Sequence, residues 1–75
     1  MNTLSAPKVD PGYVLAKATT RASDYLGQTG AGLARTIGLS EPTVSRLIKG
    51  DLKINPGKKE GELSLLLVRV YRSLD

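Results

Sequence analysis

Beyond residue 10 the apolar residues recur every three or four positions, the spacing of one buried helix face, and each run ends at a glycine or a turn signal. The first run holds Leu15, Ala18, Ala22, Tyr25 and Leu26, with Lys17, Arg21 and Asp24 on the opposite side. Asp10 followed by Pro11 predicts its start, because aspartate caps free N–H groups and proline has none to leave unsatisfied. Gly27 predicts its end, in the left-handed position that follows many helices. A second, short helix is predicted over 30–37, capped by Thr29, with Leu33, Ala34 and Ile37 turned inward. Gly38, Leu39 and Ser40 stop it, link it and start a third helix, in which Ser40 is the cap and Pro42 still lies in the first turn. That third helix runs from Glu41 to about Lys49 and stops at Gly50.

Residues 51–59 carry the turn signal Asn55-Pro56-Gly57 and read as a loop pinned to the core by Leu52 and Ile54. The last helix, over roughly 60–74, places Leu63, Leu66, Leu67, Val70, Tyr71 and Leu74 at offsets of three and four, the strongest amphipathic stripe in the chain. Leu65 and Val68 fall off that stripe and are expected at the surface. Residues 1–10 lack periodicity and read as a flexible N-terminal tail, with Asp10 at the junction to a single domain over 11–75. The expected fold is all-α, a small helical bundle with a helix-turn-helix.

Composition narrows the chemistry. Seventy-five residues make one domain, and a chain so short buries only about 60% of its unfolded surface, so help from a second subunit is expected. With no Phe or Trp, the core is Leu, Val, Ile and Ala, which suits packed helices better than a sandwich. There is no Cys, which excludes disulfides, thiolate chemistry and Cys-based zinc sites. There is no His, which removes the commonest general base and transition-metal ligand. Seven scattered carboxylates and some hydroxyls remain, which argues against an enzyme and implies neither cofactor nor metal. The N-terminus shows no apolar stretch of a secretory signal, and the longest apolar run, Leu65 to Val68, is far too short to span a bilayer. A soluble, cytoplasmic protein without membrane contact is expected.

Charge adds a direction. The net charge of +4 falls entirely between Arg35 and Lys59, where Arg35, Arg46, Lys49, Lys53, Lys58 and Lys59 face only Glu41 and Asp51. The remainder of the chain is balanced. Such a window is what a phosphate-binding segment requires, and equally what a solvated lysine-rich loop displays.

The stretch TGAGLARTIGLSEPTVSRLIKG, residues 29–50, decides between the two. Two helices crossing steeply through a three-residue turn need a small residue at the crossing, supplied by Ala34, and a residue tolerant of positive φ in the turn, supplied by Gly38. They also need apolar plugs on both sides, supplied by Leu33, Ile37, Leu39, Val44, Leu47 and Ile48. The second helix of such a pair presents a polar face to the DNA major groove. Pro42, Ser45, Arg46 and Lys49 form that face at i, i+3, i+4 and i+7.

Arg46 suits a bidentate contact to guanine or a phosphate clamp, and Ser45 suits a base edge or the backbone. Thr29, Ser40, Thr43 and the N–H groups at the starts of both helices suit phosphate oxygens. Lys49 and Lys53 add sequence-independent attraction. Glu41 either accepts from cytosine N4 or stabilises the helix dipole. Gly30 and Gly32 weaken their helix by about 1 kcal/mol each relative to Ala, in exchange for close packing or for close approach of DNA.

The GLSEPTVSRLIKG segment resembles the recognition half of the Xre/Cro-repressor class. With VLAKATTRASDYLG before it and GKKEGELSLLLVRVYRSLD after it, the chain resembles the N-terminal domain of Xre-type antitoxins, the partners of RES-domain toxins that degrade NAD. The resemblance implies an autorepressor that binds its own operator, an inverted repeat, as a homodimer and neutralises a cognate toxin. Such antitoxins continue into a C-terminal toxin-binding domain, so the chain is expected to be a form truncated before it. A stand-alone Xre-family repressor and a toxin-binding interaction module with vestigial DNA binding are the alternatives. In the last helix Leu65 and Val68, beside Arg69 and Arg72, are the candidate dimer or interdomain surface.

Overall fold

The computed structural model describes residues 10–74; the tail expected before them therefore falls almost wholly outside the described residues. Four helices follow in chain order: α1 (Pro11–Tyr25), α2 (Gly30–Ile37), α3 (Glu41–Ile48) and α4 (Lys59–Ser73). The all-α bundle expected from the hydrophobic period is thus the observed fold. Among the described residues no helix is long and apolar enough to cross a membrane.

Local chemistry sets the boundaries. Asp10 caps α1 by accepting the Gly12 N–H at 2.8 Å, and Pro11 occupies the first turn. Thr29 caps α2 by accepting the Gly32 N–H at 3.0 Å, and Ser40 caps α3 through the Thr43 N–H. Gly38, between α2 and α3, has φ of 77°, a conformation a side chain would strain. Its N–H and that of Leu39 both donate to the Ala34 carbonyl, which closes the turn.

The core gathers Leu15, Ala16 and Ala22 from α1, Leu33, Ala34 and Ile37 from α2, Val44 and Leu47 from α3, Ile54 from the loop, and Leu67 and Val68 from α4. The helix-turn-helix α2–α3 is held from behind: α1 packs on α3, and α4 packs on α1 and α2. The loop between α3 and α4 is fastened at two places. Ile54 is buried, and its N–H donates to the Gly12 carbonyl at 3.0 Å. Further on, Asn55 and Pro56 lie directly against Gly61, where an added Cβ would stand 2.7 Å from the Pro56 Cα and closer still to the Asn55 carbonyl oxygen.

That close approach corrects the expectation for the last helix. Val68 is buried at 7% exposure, not at the surface, while Leu66 and Val70 are 53% and 51% exposed and Leu74 is exposed too. The inward face of α4 is Gly61, Ser64, Leu67, Val68 and Tyr71, so the helix is rotated from its most hydrophobic stripe. The cause is close packing at the small residues Gly61 and Ser64, which hydrophobic periodicity does not weigh. Two further differences concern helix ends. Tyr25, the last residue of α1, is exposed and stands edge-on to the Tyr71 ring at 5.0 Å instead of filling the core. Ile48, the last residue of α3, is 51% exposed, because Val44 and Leu47 already fill the space between α3 and its neighbours.

Candidate nucleic-acid interface

The outward face of α3 is assembled by spacing alone. With Val44 and Leu47 buried, the helical period turns Glu41, Pro42, Ser45, Arg46 and Lys49 to solvent, and all five are exposed. Glu41 lies in the first turn, where a carboxylate is favoured by the helix dipole, and Arg46 in the last, where a cation is.

The capping hydroxyls are already engaged. Thr29 Oγ1 accepts from Gly32, and its own O–H donates to no acceptor among the described residues. Ser40 Oγ and Thr43 Oγ1 are 2.8 Å apart, one donating to the other, so this pair offers a single free O–H between them. Thr43 is half-buried.

The first turn of α2 adjoins α3. Gly30 lines one groove with Glu41, Ser45, Ile48 and Lys49. A Cβ at Gly30 would meet nothing within 4 Å among the described residues, so close packing against them is not what this glycine serves. At Gly32 the nearest neighbour would be Thr29 Oγ1 at 3.4 Å, an ordinary contact.

Lys53 does not stand free. Its ammonium nitrogen lies 3.1 Å from the Asp10 carboxylate, the only ion pair among the described residues. The Gly12 N–H, and then Lys53, hold the Asp10 carboxyl below the usual carboxylate range. Lys53 thus ties the loop to the start of α1, and it reaches an external phosphate only by sharing or leaving Asp10.

Of the candidate surface on α4, Leu65, Arg69 and Arg72 are exposed and Val68 is not. Leu66 and Val70, which periodicity assigns to the core, extend this surface instead. Conversely, α1 supplies side chains next to α3 that the sequence pattern does not single out. Lys17, Thr20 and Arg21 line one groove with Ile48, Lys49 and Gly50, and Arg21 lines a second with Thr29, Gly30 and Ile48. The balanced charge of the chain outside residues 35–59 hides them in a sequence tally; only the packing of α1 on α3 brings them there.

A short pair of helices crossing at a left-handed glycine, with a buried apolar face behind and a polar, partly basic face in front, defines a helix-turn-helix domain of the DNA-binding kind. The description "antitoxin Xre-like helix-turn-helix domain" matches residues 8–69. The chain belongs to that family. No curated protein matches it.

Proposed function

We propose that this chain represses its own operon: it binds an operator upstream of its coding sequence through α3, as the DNA-binding part of an antitoxin whose partner is a cognate toxin. The observation that carries this reading is the outward face of α3, with Ser45, Arg46 and Lys49 exposed and none of them in an ion pair within the described residues. Arg46 reads a base, Ser45 a base edge or phosphate, and Lys49 a phosphate. The O–H of Thr29 and the shared hydroxyls of Ser40 and Thr43 take phosphates. Pro42 packs on the groove wall, Glu41 stabilises the helix start or accepts from cytosine, and Lys53 adds attraction when it leaves Asp10.

One recognition helix reads only a few base pairs, so selection of one operator calls for two copies on an inverted repeat. The outward face of α4 supports a homodimer. Glu62 and Arg69 are equidistant along the helix from the midpoint between Leu65 and Leu66. Antiparallel pairing of two copies about that midpoint sets Glu62 against Arg69 twice, around an apolar centre, as a two-fold interface requires. Arg72 lies at its rim. One helix face is a small interface, so a concentration-dependent equilibrium follows.

The test is a fluorescence-anisotropy titration against duplexes from the upstream region and against scrambled duplexes, at several salt concentrations. Tighter binding to an upstream duplex, falling steeply with salt, is expected. Equal binding to all duplexes, or none, contradicts the operator reading. Arg46→Ala is expected to remove about 1–3 kcal/mol from specific binding and to relax the preference at one base pair per half-site.

A further inference from the structure

The basic window of the sequence ends at residue 35 on its N-terminal side, yet the surface around α3 does not. On α1, Tyr13, Lys17 and Arg21 stand one turn apart in an i, i+4, i+8 row, and all three are exposed. This row forms the wall of a groove whose other wall is Ile48, Lys49 and Gly50, at the end of α3. Arg21 also reaches the adjoining groove, which contains Thr29 and Gly30 at the start of α2. The exposed side chain of Ile48 lies where these grooves meet. Neither Lys17 nor Arg21 has a carboxylate within ion-pair distance among the described residues, although Asp24 stands one turn from Arg21.

The two cations are therefore not committed to the fold. The row from Tyr13 to Arg21 spans about 12 Å at 1.5 Å per residue. Measured along the duplex axis, that is the rise of roughly three to four base pairs at 3.4 Å each. Lys49, across the groove, continues the positive surface toward α3.

We propose that α1 is a second backbone-contacting element of this domain: Lys17 and Arg21, flanked by the hydroxyl of Tyr13, take phosphates of the strand beside the groove that α3 enters. This role for α1 rests on α3 being the recognition helix. Such contacts fix the position of the domain on the duplex and carry no sequence information.

The experiment measures how binding to an upstream duplex and to a scrambled duplex depends on salt, for the parent chain, the double variant Lys17→Gln/Arg21→Gln, and Arg35→Gln. Arg35 is exposed on α2 and lines none of these grooves. Every phosphate that is no longer neutralised lowers the slope of log K against log salt by about 0.9, so the double variant is expected to fall by about 1.8 per bound protomer. It weakens on both duplexes alike, and the parent's preference for the upstream duplex stays. Arg35→Gln leaves the slope unchanged. Circular dichroism checks that all three proteins are equally folded. An unchanged slope in the double variant overturns the proposal while the reading of α3 stands. An equal loss per charge in Arg35→Gln reduces it to net charge and overturns it as well. A parent that binds no duplex overturns the reading of α3, and this proposal with it.

Discussion

Replacing Gly61 by alanine is expected to destabilise the domain, although alanine is the better helix former by about 1 kcal/mol. Gly61 is the third residue of α4, and its missing side chain is where the loop lies. An alanine Cβ would stand 2.7 Å from Pro56 Cα and still nearer the Asn55 carbonyl oxygen. Both obstacles are backbone, so neither moves by changing a rotamer. Overpacking a tight site costs about 1–3 kcal/mol, and a rigid obstacle belongs at the upper end of that range. The displaced loop also carries Ile54, which is 2% exposed and whose full exposure would cost a further 1.5–3 kcal/mol or so. Partial loss of that anchor, less the propensity gain, leaves a net destabilisation of about 2–3 kcal/mol. In a domain this small each kcal/mol shifts Tm by about 4–8 °C, so a fall of about 10–20 °C in the thermal transition followed by circular dichroism is expected. Gly30→Ala provides the contrast. It too lies in a helix's first turn, but its Cβ points into open space, and it is expected to be neutral or stabilising by up to about 1 kcal/mol. A Gly61→Ala protein as stable as the parent, or the same sign of shift at both glycines, would refute the close-packing explanation.

The rotated face of α4 separates two substitutions that its sequence stripe would order the other way: Val68→Glu is expected to unfold the domain, and Leu66→Glu to leave helical content intact while weakening self-association in sedimentation. Thr29→Ala removes the cap of α2 and is expected to lower stability by about 1 kcal/mol in urea denaturation, with an unchanged m-value. Asp10 gives a pH dependence of fixed sign. Its folded pKa lies below the unfolded value, so the stability it contributes is present above about pH 3.9 and is lost as pH falls through the lower folded value. Acid titration of Tm is therefore expected to show a shallower loss on that side in Asp10→Asn than in the parent.

The helix-turn-helix is legible because each of its demands falls on a residue type that sequence reveals. Thr29 and Ser40 are capping hydroxyls, Gly38 is a turn glycine, and Ala34 is a small residue at a crossing. Spacing then fixes which side of α3 faces outward, once Val44 and Leu47 are known to be inside. Periodicity misplaces the last helix for the complementary reason. Its rotation is set by the approach of Gly61 to the Asn55–Pro56 backbone, and neither glycine nor backbone has a hydrophobic signature. Leu66 and Val70 look like core, and Val68 does not, to any scale that counts only apolar side chains. Ile48 and Tyr25 fit the helical period equally well, but Val44 and Leu47 already fill the space behind α3, and Tyr25 stands edge-on to Tyr71 at the surface. The neighbours of α3 on α1 emerge only from tertiary packing, because Lys17 and Arg21 are 32 and 28 residues from Lys49 in sequence and share a groove only when folded.

The outward face of α3, and not the apolar face of α4, is the surface expected to meet DNA. Amide chemical-shift mapping of the isotopically labelled chain, titrated with an upstream duplex, tests this most directly. The largest perturbations are expected at residues 41–49 and at Thr29 to Ala31, with those of Leu65, Leu66 and Val70 small and reproduced by raising protein concentration without DNA. Perturbations centred on α4, with residues 41–49 unmoved at saturating duplex, would contradict it.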